Sequence, residues 1–382
     1  MEFSITEDQR VLVESAGRFA REVLAPGYQH RDKTGRLELE IVRQMGDLGL
    51  LGVEMPEAYG GMGMDCVTSG LLLEQLSASD FNMAYVSLLV SLCGQIVNRF
   101  ASESIKQEWL PKIIAGEKLI AIALTEPSAG SDAAALQLKA VKEGDHYVLT
   151  GEKTSISLAD QADVAVVFAR TNSDIKGAKG ISAFLVPMDF PGITRTAFDD
   201  LGTRCVGRGS IFFDGVKVPA SHMLGEEGKG FTQVMQGFDY SRALIGLQCL
   251  AVARASLDET WEYAKERETF GKPIVENQGV SFPLAEYETY YQAARLVCLE
   301  TLWLKDKDLP HTSQAAMCKW WGPKLSYDII YQCLLFHGHG GYAKDYPYEQ
   351  RLRDVLGLQI GDGTAQIMKM IIARTKTGLK LS

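Results

Sequence analysis

Apolar residues recur at helical spacing along the first third of the chain. Leu12, Ala16, Phe19, Ala20 and Val23 fall on one face of a segment over 6–24, and Thr6 with Gln9 has the form of a capping box. The pattern returns over 38–50, ending at Gly49 and Gly52. Met55–Gly63 holds a proline and several glycines and predicts a loop. Helices are predicted over 66–79, 83–100 and 102–115, the last with Trp109, Ile113 and Ile114 turned inward. The helix over 83–100 is apolar nearly all round, as a helix buried on every side must be. Its uncharged run, Met83–Val97, is shorter than the ~20 residues of a membrane span. Residues 1–118 thus read as an all-helical domain.

The period changes at Leu119. Leu119–Leu124 reads as a buried strand. Further strands are expected at His146–Leu149, Val164–Ala169, Ile181–Val186, Ile193–Ala197 and Ile211–Val218, separated by Gly- and Pro-containing turns. This pattern predicts a small β-barrel or sandwich over 119–226. No strand-to-helix GxGxxG occurs in it, which excludes a Rossmann dinucleotide site. Helical spacing then resumes over 231–265, 280–305, 312–338 and 364–378, a four-helix bundle within 227–382. The fold class is α+β.

Composition narrows the function. The net charge of −9 argues against non-specific nucleic-acid binding, which needs a basic face. Seven cysteines, an odd number without a CxxC pair, read as buried thiols of a reducing compartment. Met1-Glu2-Phe3-Ser4 does not begin a signal peptide, and a cytoplasmic protein without membrane attachment is expected. His337 and His339 lack companions at ligand spacing, so no metal is expected.

The chemistry starts at Ala123–Asp132, Ala-Leu-Thr-Glu-Pro-Ser-Ala-Gly-Ser-Asp. A turn of small residues lets a flat ligand approach the backbone, though many such turns are only turns. These ten residues resemble, position by position, the first signature of the acyl-CoA dehydrogenase flavoproteins. Other stretches resemble the same family: Pro56–Gly63, Gly151–Ser157, Gly237–Arg242, Arg267–Pro273 with Gln278, Phe336–Asp354, and Gly361–Ile367. The resemblance implies FAD as cofactor, an acyl-CoA substrate, an electron-transferring flavoprotein as partner and a homotetramer built as a dimer of dimers.

The resemblance also assigns residues. Ile122, Ala123, Leu124, Thr125, Gly130 and Ser131 would meet the flavin, with Ser131 also touching substrate. Ser155, Ile156 and Ser157 would meet it from the next stretch. Ser155 stands where the family has Trp and Ser157 where it has Thr, so a hydroxyl is kept and an aromatic shield is lost. Arg267 and Gln278 would reach the FAD of a neighbouring subunit, and Thr269 and Phe270 between them also count as cofactor residues. Leu335, Gly338, Thr364 and Gln366 complete the cofactor set. Phe238, Asp239, Arg242, Gly361 and Gly363 would line the substrate site. Asp239 and Arg242 are three apart on one helix face, and a structural ion pair explains them as well as a CoA contact does.

Asp362 stands where the family has its catalytic Glu, one methylene shorter. An Asp between two glycines at a helix start is ordinarily a cap or turn residue; the resemblance makes it the base that removes the α-proton of the thioester. Straight-chain members usually place a Tyr before that Glu, whereas this chain has Gly361. A smaller residue on both counts enlarges the pocket beside the α-carbon. The helix over 83–97 carries no Lys, Arg or His to pair a distal carboxylate, and for a base at another ring carbon it offers only Ser87, Ser91 and Cys93. The expected substrate is therefore apolar and bulky at the α-carbon, as in the alicyclic acyl-CoA dehydrogenases: cyclohexane-1-carbonyl-CoA, oxidised to cyclohex-1-ene-1-carbonyl-CoA. A short branched acyl-CoA is the runner-up, with further oxidation of the cyclohexene ring behind it. An acyl-CoA or nitroalkane oxidase, or a non-catalytic relative, are the competing readings on the same fold.

Overall fold

The structure, a computed structural model, describes residues 4–379. Its N-terminal layer holds α1 (Glu7–Phe19), α2 (Tyr28–Thr34), α3 (Leu39–Asp47), α4 (Cys66–Ser79), α5 (Phe81–Phe100) and α6 (Glu103–Ile114). The capping box forms: Thr6 Oγ1 accepts from the Gln9 amide at 3.2 Å, and Gln9 Oε1 accepts from the Thr6 amide at 3.0 Å. α1 ends earlier than expected because Ala20–Leu24 widens into a π-turn. α2 escaped prediction, since its residues Tyr28–Thr34 are mostly polar. α5 has the length and composition of a membrane span, yet it is the core helix of this layer, with 89% of its apolar window buried. Asp80 caps it, accepting from the Asn82 and Met83 amides, and also takes the Arg31 guanidinium at 2.7 Å.

The middle layer is one sheet of eight described strands: β1 (Ile120–Ala123), β2 (Lys139–Glu143), β3 (His146–Ser157), β4 (Val164–Arg170), β5 (Ile181–Pro187), β6 (Ile193–Ala197), β7 (Arg208–Pro219) and β8 (Met223–Leu224). The order is β6-β7-β3-β2-β4-β5-β8, and β1 runs parallel along the edge of β4 that β2 meets only at Arg170. β2 was missed because its single buried position, Ala140, gives no apolar alternation. β3 runs on to Ser157, past its expected end at Leu149; register breaks after Leu149 and after Lys153 hide the continuing strand.

The C-terminal layer holds α7 (Gly230–Glu266), a hairpin of β9 (Glu268–Thr269) and β10 (Lys272–Pro273), α8 (Gln278–Asp306), α9 (Thr312–Phe336), the short α10 (His339–Tyr342), α11 (Tyr348–Gly357) and α12 (Ala365–Thr377). α7, α8 and α9 pack on one another, α12 packs on α9, and α7 also packs on α4 and α5. α7 and α9 cross at two glycines, where a Cβ on Gly322 would lie 2.8 Å from the Gly246 Cα. α11 occupies a stretch expected to be the loop of the second family signature. It carries Asp354, which is fully buried and accepts from Tyr28 Oη at 2.7 Å, Asn82 Nδ2 at 3.1 Å and the Thr203 amide at 2.6 Å. Burial pushes that carboxyl up to about 7, against the pull of these donors. All seven cysteines are buried free thiols.

One buried ion pair joins the β1–β2 connection to β3. Lys153 Nζ lies 2.7 Å from Glu126 Oε1 and donates to the Leu124 carbonyl at 2.9 Å; neither side chain is more than 4% exposed. Glu126 also accepts from the Gln137 and Leu138 amides at 2.6 and 2.8 Å. Removing one partner of such a pair strands the other charge in the interior, at about 3–5 kcal/mol. Burial already holds Lys153 down at about 8, even with Glu126 beside it. Without Glu126 its folded pKa falls further below the ~10.4 of the unfolded chain. The folded variant must then release a proton that the unfolded chain keeps, and that penalty grows as pH falls below 8. Glu126→Gln should therefore be destabilised more at pH 6 than at pH 9, measured by urea unfolding; an equal deficit at both pH values would contradict this role.

Candidate active site

Asp362 sits on the short connection between α11 and α12. The Ile360 and Gly361 amides both return to the Gly357 carbonyl, at 3.2 and 3.0 Å, closing the end of α11. Asp362 then takes φ +54 and Gly363 φ +106. A non-glycine residue held in the left-handed region costs about 1–3 kcal/mol and is found where function fixes the backbone. Thr364 caps α12, accepting from the Ile367 amide at 3.4 Å. The left-handed step thus turns the Asp362 side chain off the axis of α12 before the helix begins.

Asp362 is half-buried, and desolvation raises its carboxyl pKa; Lys319, Arg242 and Arg208 pull it back down. Arg242 is 4% exposed; its Nη1 donates to Asp239 Oδ1 at 3.1 Å, and Asp239 Oδ2 accepts from Thr312 Oγ1 at 2.6 Å. The ion pair read from the sequence is therefore real, and the same arginine also leans on the loop of Asp362: its Nη2 would lie 3.8 Å from a Cβ on Gly363. Arg242 Nε is buried with no hydrogen-bond partner among the described residues. Arg208 stands opposite Ser157 in the β3–β7 ladder and donates to Asp200 and Thr203 Oγ1 at 3.3 and 2.7 Å. Lys319, on α9, donates to the carbonyls of Leu358 and Gly363 at 2.5 and 3.1 Å.

Tyr85 corrects the reading of α5. Its Oη lies 3.4 Å from Ser157 Oγ. Burial, then the charge of Asp362, raises the phenol to about 12, so it stays protonated. Ser87 instead faces away, donating to the Leu50 carbonyl at 2.8 Å. Cys93 does lie within range of Asp362, and burial and that charge raise its thiol. Tyr85 was not singled out along the sequence, where a tyrosine within a wholly buried helix reads as core. Arg208 and Lys319 lay in no motif and were not singled out.

The first signature and the Gly151–Ser157 stretch meet on one side of the sheet. The Thr154 amide donates to the Thr125 carbonyl at 2.9 Å. Ile122, Ala123 and Leu124 line this edge on and just beyond β1, and Ile156 is buried behind it. Ser155 is exposed at φ +57, where β3 breaks register with β7. Gly130 and Ser131 are exposed, and a Cβ on Gly130 would meet nothing within 4 Å. The result is an open strip with the hydroxyls of Thr125, Ser131, Ser155 and Ser157, joined through Ser157 to Tyr85 and so to Asp362. Such a donor set suits the polar edge of a flat ring such as a flavin.

The other expected cofactor residues lie on the hairpin and helices of the C-terminal layer. Arg267, Thr269 and Phe270 lie on the β9–β10 hairpin, and Gln278 opens α8. Phe270 is fully exposed, and its φ of +53 beside Gly271 at +79 makes the tip a two-residue turn. Leu335, Gly338 and Gln366 are exposed on the C-terminal helices and their connections. Among the described residues no group of His, Cys, Asp or Glu is placed to hold a metal.

Comparisons with known proteins agree with this geometry. Family models described as acyl-CoA dehydrogenase, N-terminal, middle and C-terminal domain match residues 6–117, 121–216 and 228–377. The chain is similar to a probable acyl-CoA dehydrogenase, YngJ, of Bacillus subtilis, at 37% identity over 98% of this chain and 99% of the relative. It is similar to the short-chain specific acyl-CoA dehydrogenase of Clostridium acetobutylicum, at 34% identity over 98% and 99%. Butyryl-CoA dehydrogenase from Megasphaera elsdenii superposes with a TM-score of 0.95 at 34% identity, covering 98% of this chain and all of that one. With three domain models in order and near full-length relatives, the chain belongs to the acyl-CoA dehydrogenase family of FAD-dependent oxidoreductases.

Proposed function

We propose that this acyl-CoA dehydrogenase acts on an acyl group bulky at the α-carbon, converting cyclohexane-1-carbonyl-CoA to cyclohex-1-ene-1-carbonyl-CoA. The observation that carries this reading is the space at Gly361. A Cβ there would meet only the Gly357 carbonyl oxygen, at 3.7 Å, so the wall beside Asp362 is open. An open apolar wall that substrate does not fill forfeits contacts, which favours a ring over a slim chain.

Asp362 is the base that takes the α-proton. Desolvation makes it more basic than a free carboxylate, and the cations around it keep it ionised. The thioester carbonyl is polarised by fixed backbone donors such as the Asp362 amide, where negative charge develops. FAD, when bound, would supply the acceptor for the β-hydrogen, with an electron-transferring flavoprotein as the external acceptor. Ser157 and Thr125 would hold the flavin's polar edge, and Tyr85 holds Ser157 in turn. Air reoxidation of the reduced flavin in stopped flow should be slow, whereas an oxidase would return it rapidly.

A second reading, a short straight acyl-CoA, is favoured by the likeness to the short-chain specific enzyme of Clostridium acetobutylicum and to butyryl-CoA dehydrogenase of Megasphaera elsdenii. A panel of kcat/KM values for cyclohexanecarbonyl-CoA, isobutyryl-CoA and butyryl-CoA separates the two. The ring should lead butyryl-CoA by about tenfold or more, the usual worth of a filled apolar pocket. Gly361→Tyr should suppress the ring far more than butyryl-CoA. Butyryl-CoA equal to the ring in the wild type would sink the cyclic assignment.

Asp362→Asn keeps the shape and removes the base. It should lose flavin reduction by about 10²–10⁴-fold while retaining FAD; a variant reducing its flavin at the wild-type rate would show that another residue is the base.

Arg267 and the exposed Phe270 of the hairpin, together with Gln278, would complete the FAD site of a neighbouring copy in a homotetramer, a dimer of dimers. An aromatic ring held fully exposed in a strained turn supports this, because a partner repays what water does not. Arg267→Ala should release FAD on dilution or gel filtration while the apoprotein's melting temperature stays near that of wild-type apoprotein. Unchanged FAD retention would remove Arg267 from the cofactor site.

A further inference from the structure

The loop that carries Asp362 is tied down from below by one side chain. Lys319 is 1% exposed on α9. Its ammonium reaches the carbonyl of Leu358, just past the end of α11, and that of Gly363, just before the cap of α12. These two carbonyls bracket Gln359–Asp362, so a single group closes both ends of the loop. The Leu358 carbonyl lies at a helix C-terminus, where backbone acceptors are left over and a cation is favoured.

Hydrogen bonding alone does not require a charge here. A neutral amide could serve both carbonyls, and burying an ammonium is costly unless an anion repays it. The charged and titratable groups around Asp362 come from four elements: Lys319 on α9, Arg242 on α7, Arg208 on β7, and Tyr85 and Cys93 on α5. Arg242 has its own carboxylate in Asp239, at 3.1 Å, and Arg208 has Asp200, at 3.3 Å. Lys319 has no carboxylate at ion-pair distance among the described residues; Asp362 is the carboxyl within its electrostatic range, and the Cys249 thiol of α7, also in range, is kept neutral by burial. Of the three cations it is the one whose charge is left for the base.

We propose that Lys319 is the positioning residue of the base: it clamps the Leu358–Gly363 loop and its uncompensated charge holds Asp362 in the ionised form. This rests on Asp362 being the base. Burial lowers Lys319 to about 8, which leaves it mostly charged at neutral pH. Tyr85 and Cys93 are held in their neutral forms and add no charge to the balance.

Lys319→Gln keeps a donor and removes the charge, Lys319→Arg keeps the charge, and Lys319→Met removes both. The Asp362 carboxyl is titrated by infrared difference against Asp362→Asn, and the pH profile of anaerobic flavin reduction is measured on FAD-loaded protein. In the Gln variant the carboxyl titration and the acid limb should both move up by about one pH unit or more, and the rate should recover toward wild type as pH rises. The Arg variant should keep the wild-type acid limb. The Met variant should shift the limb and also fall in kcat at every pH, because the loop is released. A Gln variant with an unmoved titration and acid limb overturns the proposal, whatever its total activity. If the Met variant does not retain FAD, the Gln and Arg pair decides alone. Unimpaired reduction by Asp362→Asn would instead remove the base assignment, and an unmoved limb in Lys319→Gln alongside a dead Asp362→Asn would remove only the role of Lys319.

Discussion

The Glu126–Lys153 ion pair is the constraint on which the sheet side of the site depends. Both residues belong to stretches that resemble the family motifs, yet neither reaches the open strip of hydroxyls. Glu126 points inward from the first signature, Lys153 from the middle of β3, and they meet where neither side chain is more than 4% exposed. Water cannot substitute for either partner at that depth, so the loop over Ala123–Asp132 and the end of β3 are held at one separation. The register break just after Lys153 then places Ser155 and Ser157 on the strip, and the Thr154 amide closes the join on the Thr125 carbonyl. The exposed residues of the motif are free to meet a ligand because the buried ones carry the geometry.

The base side uses the same device with a different partner. Lys319 serves two carbonyls and leaves its charge to the loop, while Arg242 and Arg208 reach the same carboxylate already paired. The left-handed turn at Asp362 and Gly363 is strained, and a strained turn persists only where its surroundings over-determine it. The clamp beneath it and the Thr364 cap beyond it are those surroundings. The whole arrangement hangs on α9, which is locked to α7 by the close crossing at Gly246 and Gly322. A change at either glycine should therefore reach the base through Lys319, without touching it.

The helices with a one-sided or wholly apolar pattern, and the strands with buried runs, were legible along the chain because burial there repeats with the period of the element. α2, β2 and α11 were not. Each has few buried apolar positions; β2 is held by its hairpin partner β3, and α11 by distant segments, as with Asp354 and the donors Tyr28, Asn82 and Thr203. The same division runs through the site. Thr125, Ser157, Asp239, Arg242 and Asp362 lie within short stretches that resemble the family's motifs, and the resemblance singled them out. Tyr85, Arg208 and Lys319 do not: a tyrosine in a core helix, an arginine at a strand end and a lysine in an apolar helix have ordinary structural explanations one at a time.

By itself the sequence determined the layer order and the short stretches that resemble the family's motifs, with an aspartate preceded by a glycine where the family has its catalytic residue. These follow from neighbours along the chain, since hydrophobic period and motif spacing are local quantities. Tertiary structure alone decided which charges surround the aspartate, which of them are already neutralised, and that a phenol rather than a serine of α5 faces Ser157. Those depend on which distant side chains share a buried volume, and on the cost of leaving any polar group there unpaired. That cost is a property of the packed interior, and no stretch of sequence expresses it.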